Sequence, residues 1–188
     1  MKTPLAALAL AALLTGCSFS VPIINPAQTV SYYVLTAPEP TENKLTAPSI
    51  GVMPVTLPAY LDRNQLVTRR NDGVGIEIHD FERWGEGLAR GVARVLCDTL
   101  AQEGRSAVPL RTGIRVDSRL SLELRRFDGA LEQDVILDAV WTWQEGKGEP
   151  RGGRAVKSLP AGGTLKSMVE AQSRLIQELA KDIARQMR

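Results

Sequence analysis

Side chains able to do chemistry are scarce in this 188-residue chain: one histidine, His79, and two cysteines, Cys17 and Cys97. A nucleophilic cysteine needs an imidazole beside it, and His79 is the only one on offer. Cys97 lies in "GVARVLCDTL", where helical spacing sets it at the edge of an apolar stripe, so it reads as a small, partly buried helix residue. His79-Asp80 is the one place to seek a general base; the pattern predicts that His79 ends a strand and that Asp80 caps the helix after it, a polar boundary. A single histidine excludes an HExxH zinc helix, and no paired CxxC motifs are present for a structural zinc site. "GVGIEI" supplies Gly73 and Gly75 without a third glycine before a helix, and there is no GKS or GKT, so a dinucleotide fingerprint and a P-loop are both excluded. The glycine pairs at 152–153 and 162–163 read as lacking the flanking strand and helix of an anion-binding nest. Trp141 and Trp143 alternate along a strand and read as core in preference to a ligand wall. No catalytic residue, cofactor or metal ligand set is expected.

Cys17 stands in a different setting. Residues 5–14 read "LAALALAALL", with no charge, behind the single positive side chain of Lys2, the pattern of a secretory leader. As a helix, ten residues reach about 15 Å, half of the ~30 Å of hydrocarbon that a spanning helix must cross. The run ends in "LTGC", residues 14–17, which resembles the lipobox of bacterial lipoproteins. That resemblance implies cleavage before Cys17, which becomes the first mature residue and carries palmitate-type acyl groups. One acyl chain binds a bilayer only marginally, whereas two or three hold a protein there stably. The next residue is Ser18, not the aspartate that lipoprotein sorting associates with inner-membrane retention, so outer-membrane placement facing the periplasm is expected.

Removing residues 1–16 from 188 leaves 172, which suits one domain with a real hydrophobic core. Without Lys2 the 23 basic residues become 22 against 21 acidic ones, a formal charge of +1. The basic residues form no dense runs, so nucleic acid is not an expected partner. With Cys17 acylated, Cys97 has no partner for an internal disulfide, even in an oxidising compartment.

The elements that must position these residues follow from periodicity. Residues 18–29, "SFSVPIINPAQT", carry Pro22 and Pro26 without regular spacing and read as an extended tether. "SYYVLT" and "SIGVMPVTLP" read as strands, the second ending at an edge or turn because Pro54 and Pro58 cannot donate to a ladder. "QLVTRR" and "GIEIHD" flank Asn71-Asp72-Gly73 and predict a hairpin. From Trp84 to about Glu103 the period becomes helical, with Leu88, Val92, Val95, Leu96 and Thr99 on one side and Arg90, Arg94 and Asp98 on the other, and Gly104 stops it. "RLSLELRRF" and "VILDAVWTW" alternate as two strong strands joined by a turn, "DGALEQD". A glycine-rich turn and a weaker strand, "RAVKSLPA", follow, and then a helix from Leu165 to about Met187, with an expected Glu170–Arg174 pair on its outer side. The order predicts an α+β domain with a mixed, mostly antiparallel sheet and two amphipathic helices packed on one face. The residues by themselves allow a binding or scaffolding role and name no partner.

Taken in order, these elements resemble the ABC-type transport auxiliary lipoproteins of the paraquat-inducible protein C type. The resemblance rests on the lipobox at Cys17, "YYVL" at residues 32–35, "GVMPVTLPAYLDRNQLVTR" at 51–69, "RWGEGL" at 83–88, "LELRRFDG" at 122–129, "VILDAVW" at 135–141 and the closing helix. Gly87 departs from the pattern, since members often carry proline there at the start of the helix. The resemblance implies residues 1–16 as signal peptide, 17–29 as lipidated N-terminus and tether, and 30–188 as the auxiliary domain. It implies an outer-membrane lipoprotein, not an enzyme, that works with an ABC transporter and a periplasmic protein carrying mammalian-cell-entry (MCE) domains, moving lipid between membranes and maintaining envelope integrity. It also allows a homo-oligomer. A carrier that holds a lipid or amphiphile against Trp141 and Trp143 is the alternative.

Overall fold

The structure, a computed structural model, describes residues 28–39, 46–110 and 113–187. Its strands form two sheets. Three strands, β1 (Ser31–Tyr33), β3 (Gln65–Arg69) and β4 (Ile76–Trp84), run in the order β1-β4-β3. Five others, β2 (Ser49–Val52), β5 (Ser106–Pro109), β6 (Ser118–Gly129), β7 (Asp134–Glu145) and β8 (Arg151–Pro160), run in the order β5-β2-β6-β7-β8. The long ladders, β6 with β7 and β7 with β8, are antiparallel, as is the β3–β4 hairpin. The short β2 pairs in parallel with β5 on one side and β6 on the other, and β1 pairs in parallel with β4. This is the expected α+β architecture with a mostly antiparallel sheet.

Alternation decides which face of the large sheet is buried. Leu120, Leu122 and Leu124 of β6 and Val135, Leu137, Ala139 and Trp141 of β7 point into one core, while Arg119, Ser121, Glu123 and Arg125 face water. Two helices, α1 (Leu88–Gln102) and α2 (Leu165–Gln186), cover that inner face. Val92, Val95, Leu96 and Leu100 of α1 and Met168, Leu175, Ile176, Leu179 and Ile183 of α2 are all fully buried. Each such large aliphatic side chain contributes about 1.5–3 kcal/mol by leaving water. All four residues of β2 are buried, as expected of a parallel strand flanked on both sides.

Polar groups in the helices tie down neighbouring backbone. Ser173 in α2 accepts the Thr36 amide at 3.0 Å, Gln177 donates to the Thr36 carbonyl at 3.0 Å, and Gln172 donates to the Phe127 carbonyl at 3.1 Å. Lys157 of β8 pairs with Asp182 of α2 at 2.8 Å. The expected Glu170–Arg174 pair is absent among the described residues; Glu170 instead lies 3.9 Å from Lys166.

Several boundaries differ from the sequence reading. α1 begins at Leu88, because β4 runs on through Trp84. Its residues 76–79 pair with β3, and after an irregularity residues 82–84 pair with β1. β8 begins at Arg151 and includes Gly152 and Gly153, where the sequence pattern predicts a turn. A Cβ on Gly152 would come within 2.3 Å of the Trp141 carbonyl oxygen, so the close passage of β8 over β7 requires glycine there. β5 was not anticipated.

Candidate functional site

The expected chemistry-bearing residues do not converge. Cys17, the lipobox and the tether up to residue 27 lie outside the described residues. Cys97 is a free thiol on the inner side of α1, only 2 % exposed, and so more deeply buried than its sequence position implied. Burial, with Asp98 beside it, pushes its thiol up to about 12, far from the range of a reactive cysteine. His79 and Asp80 are both within β4, so neither ends a strand before a helix; His79 Nε2 shares a hydrogen bond of 2.9 Å with the Thr68 hydroxyl, and the Asp80 carbonyl accepts from Arg83. The N-cap of α1 is Gly87. Trp141 is core, 4 % exposed, while Trp143 is half-buried with the Arg151 guanidinium 5.8 Å over its ring. The Gly162-Gly163 pair does join a strand to a helix, contrary to the sequence reading. A reciprocal capping box between Thr164 and Ser167 nevertheless closes that helix end. Among the described residues, no group of three or more His, Cys, Asp or Glu side chains is placed to hold a metal.

What the structure does bring together is a buried charge cluster around Asp128. Strict alternation along β6 ends at a bulge between Leu124 and Arg126, and the phase shift turns Asp128 inward, where it is fully buried. Arg69 of β3 grips both carboxylate oxygens, Nε to Oδ1 at 3.1 Å and Nη2 to Oδ2 at 2.7 Å. Arg126 Nε donates to Oδ1 at 2.9 Å and the Tyr60 hydroxyl to Oδ2 at 2.5 Å. Burial alone would raise the Asp128 carboxyl, but the donors of Arg69, Tyr60 and Arg126 outweigh it and hold the group below the usual carboxylate range. Burial and the neighbouring Asp128 push the Tyr60 phenol up to about 12. The cluster joins the small sheet to the large one. Its members all come from the segments 51–69 and 122–129, which the cluster ties together.

A second feature is a groove of about 670 Å³ between α1 and the carboxyl ends of the parallel strands β2 and β5. Met53, Pro54, Val55, Ala89, Ala93 and Leu110 make its walls largely apolar. Gly85, Glu86 and Arg90 form a wall shared with a smaller depression of about 220 Å³, which is polar and also lined by Tyr32, Asn64 and Arg83. Glu86 is already engaged: Arg94 donates to it through Nε at 3.0 Å and Nη2 at 2.6 Å, and the same Nη2 reaches the Leu35 carbonyl at 2.7 Å. Sequence reasoning missed this groove because its walls come from three separated segments. The "MPV" at residues 53–55, an apolar run after a strand that proline ends, was its one local signal.

A two-helix α+β domain with an interlocked pair of sheets defines the fold class. The profile of the ABC-type transport auxiliary lipoprotein component family matches residues 33–184, and the chain belongs to that family. A comparison with curated proteins finds no match. Among solved structures, the crystal structure of an uncharacterized protein aligns with a TM-score of 0.72 at 20 % identity, covering 85 % of this chain and 99 % of that one. A protein from Xanthomonas campestris aligns with a TM-score of 0.62 at 11 % identity over 82 % of this chain and 93 % of its own. At these identities the two relatives establish the fold alone. The protein is thus an auxiliary component of an ABC-type transport system.

Proposed function

We propose that the protein is the lipid-anchored, outer-membrane subunit of an intermembrane lipid transport system built from an ABC transporter and a periplasmic MCE-domain protein, and that it helps to maintain envelope integrity. In this reading residues 1–16 are a cleaved leader, 17–29 a lipidated tether and 30–188 the auxiliary domain. The observation that carries it is the family match over 33–184, preceded by an apolar leader that ends in "LTGC". Acyl groups on Cys17 hold one end of the protein at the membrane. From Cys17 to Gln28 the chain reaches about 40 Å when extended, enough to lift the domain off the bilayer surface toward a periplasmic partner. A domain in which the one histidine is hydrogen-bonded to Thr68 and the thiol of Cys97 is buried in the core fits docking better than turnover.

The test is copurification of the acylated protein, in detergent, with the MCE protein encoded nearest to it. Co-elution that survives moderate salt is the expected result. No association at any salt concentration overturns the docking role. Mass spectrometry of the mature N-terminus tests the anchor separately: an unmodified Cys17 sulfur overturns it.

A further inference from the structure

We propose that the groove beside α1 and the polar depression adjoining it form one binding site for an amphiphile, with an acyl chain in the groove and an anionic head against Arg83 and Arg90. The two depressions share the wall of Gly85, Glu86 and Arg90, so a single molecule can enter both. Size and character fit: ligand sites are typically ~300–1,000 Å³ and mainly apolar, with a few placed polar groups. Position fits as well, because a crevice outside the carboxyl ends of parallel strands is where open sheets leave space between strand ends and a helix. The carboxyl ends of β2 and β5, at Val52 and Pro109, line the groove together with Ala89 and Ala93 of α1.

Charge selects the head. In the polar depression the one lining carboxylate, Glu86, is already neutralised by Arg94. None of the ion pairs among the described residues uses Arg83 or Arg90; Arg83 donates only to the Asp80 carbonyl, and Arg90 is exposed. Two guanidinium groups without a carboxylate favour a phosphate or carboxylate head over a neutral one. Tyr32, 66 % exposed, stands on the rim of the head depression in β1, the first element after the tether. The bilayer as source of the ligand is the part of the inference that rests on the proposed lipidation of Cys17. Binding itself does not depend on it.

The test uses the full chain carrying Cys17→Ser, titrated by calorimetry below micelle-forming concentrations with dodecyl phosphate, dodecanoate, the neutral dodecyl maltoside and inorganic phosphate. Dodecyl phosphate is expected to bind saturably at one per chain, at least about tenfold tighter than the maltoside, a difference of about 1.4 kcal/mol. Inorganic phosphate alone is expected not to bind. Equal affinity for dodecanoate identifies recognition of charge, whereas weaker dodecanoate identifies a phosphate head; either supports the site. Arg83→Gln with Arg90→Gln should erase the preference for the anionic head and keep the chain affinity. Ala89→Trp, which fills the groove, should weaken every chain-bearing ligand. Equal binding of neutral and anionic probes by the parent, no saturable binding at all, or full affinity in the double arginine variant overturns the proposal. Because Arg90 is exposed and half-buried Arg83 is outside the core, that double variant remains decisive even where Ala89→Trp fails to fold. Failure to copurify with an MCE protein would leave this result standing, and the reverse also holds.

Discussion

Asp128 is the residue on which the joint between the sheets turns. A buried carboxylate held by two arginines is costly to break from one side, because the cations are then left without a counter-charge in partly dry surroundings. Asp128→Ala is therefore expected to destabilise the domain by about 3–5 kcal/mol in urea unfolding, on the scale of other severed buried pairs. Tyr60→Phe removes one donor to that carboxylate and keeps the ring that packs under Arg69, so a smaller loss of about 1.5–3 kcal/mol is expected. The pH response separates this from a packing effect. Since folding lowers the Asp128 carboxyl, its contribution is complete above the ordinary aspartate value of about 3.9 and is lost as pH falls through the lower folded value. Asp128→Asn should flatten the acid limb of the stability profile below about pH 4 relative to the parent. At the other end Tyr60 is raised, so its contribution is complete below about pH 10 and lost as pH rises through about 12. Cys97 gives a second residue-scale check. A fully packed thiol raised to about 12 should not react with a disulfide reagent at pH 8 in the folded protein carrying Cys17→Ser, and should label only at the rate of unfolding. Rapid labelling of the native state would show that α1 is not packed as described.

At the scale of elements, what could be read from the sequence was what is local. The stripe Leu88, Val92, Val95, Leu96, Thr99 predicted α1, and all five are buried; the Asn71-Asp72-Gly73 turn predicted the β3–β4 hairpin, and Gly73 has φ +75° with Asp72 accepting the amides of Val74 and Gly75. The partition into two sheets was not legible. It depends on parallel pairings such as Ile50 with Ala107 and Tyr33 with Trp84, which join segments some fifty residues apart and leave no period behind. The Asp128 cluster was hidden for the same reason, since Tyr60, Arg69 and Arg126 each read as ordinary polar residues until the chain closes on itself. A trace of it was there: the step from Leu124 to Phe127 breaks the spacing of two and marks the bulge that turns Asp128 inward. Gly87 shows how a departure from a family pattern can leave geometry intact. As the N-cap of α1 it has φ −54° and ψ 132°, within the range that proline presets, and the nearest atom to a Cβ there is 3.6 Å away. Gly87→Pro is therefore expected to raise stability by about 0.4–1 kcal/mol, chiefly by restricting the unfolded chain, with thermal unfolding as the measurement. A loss instead would show that the Gly87 amide or the residue before it is needed in another conformation.

In the proposed function the molecule divides its tasks between an attachment point and a folded body, and the two must be separable. No helix among the described residues is long and apolar enough to cross a membrane. In the proposed reading membrane residence rests on the acyl groups of Cys17, each buried methylene adding about 0.8 kcal/mol. Cys17→Ser should therefore move the protein from the membrane pellet to the soluble periplasmic fraction while its thermal unfolding midpoint stays that of the detergent-free domain, because the core, the interlock around Asp128 and both helices lie beyond residue 28. Ser18→Asp, which keeps the acyl groups, should leave the protein in the pellet and shift it in a density gradient from outer to inner membrane. The pair of variants distinguishes the anchor from its address. If Cys17→Ser protein remains membrane-bound after a high-salt wash, the exposed apolar residues Tyr32, Val34 and Phe81 around β1 and β4 become the place to look for the attachment, and the lipid on Cys17 is not what holds the subunit in place.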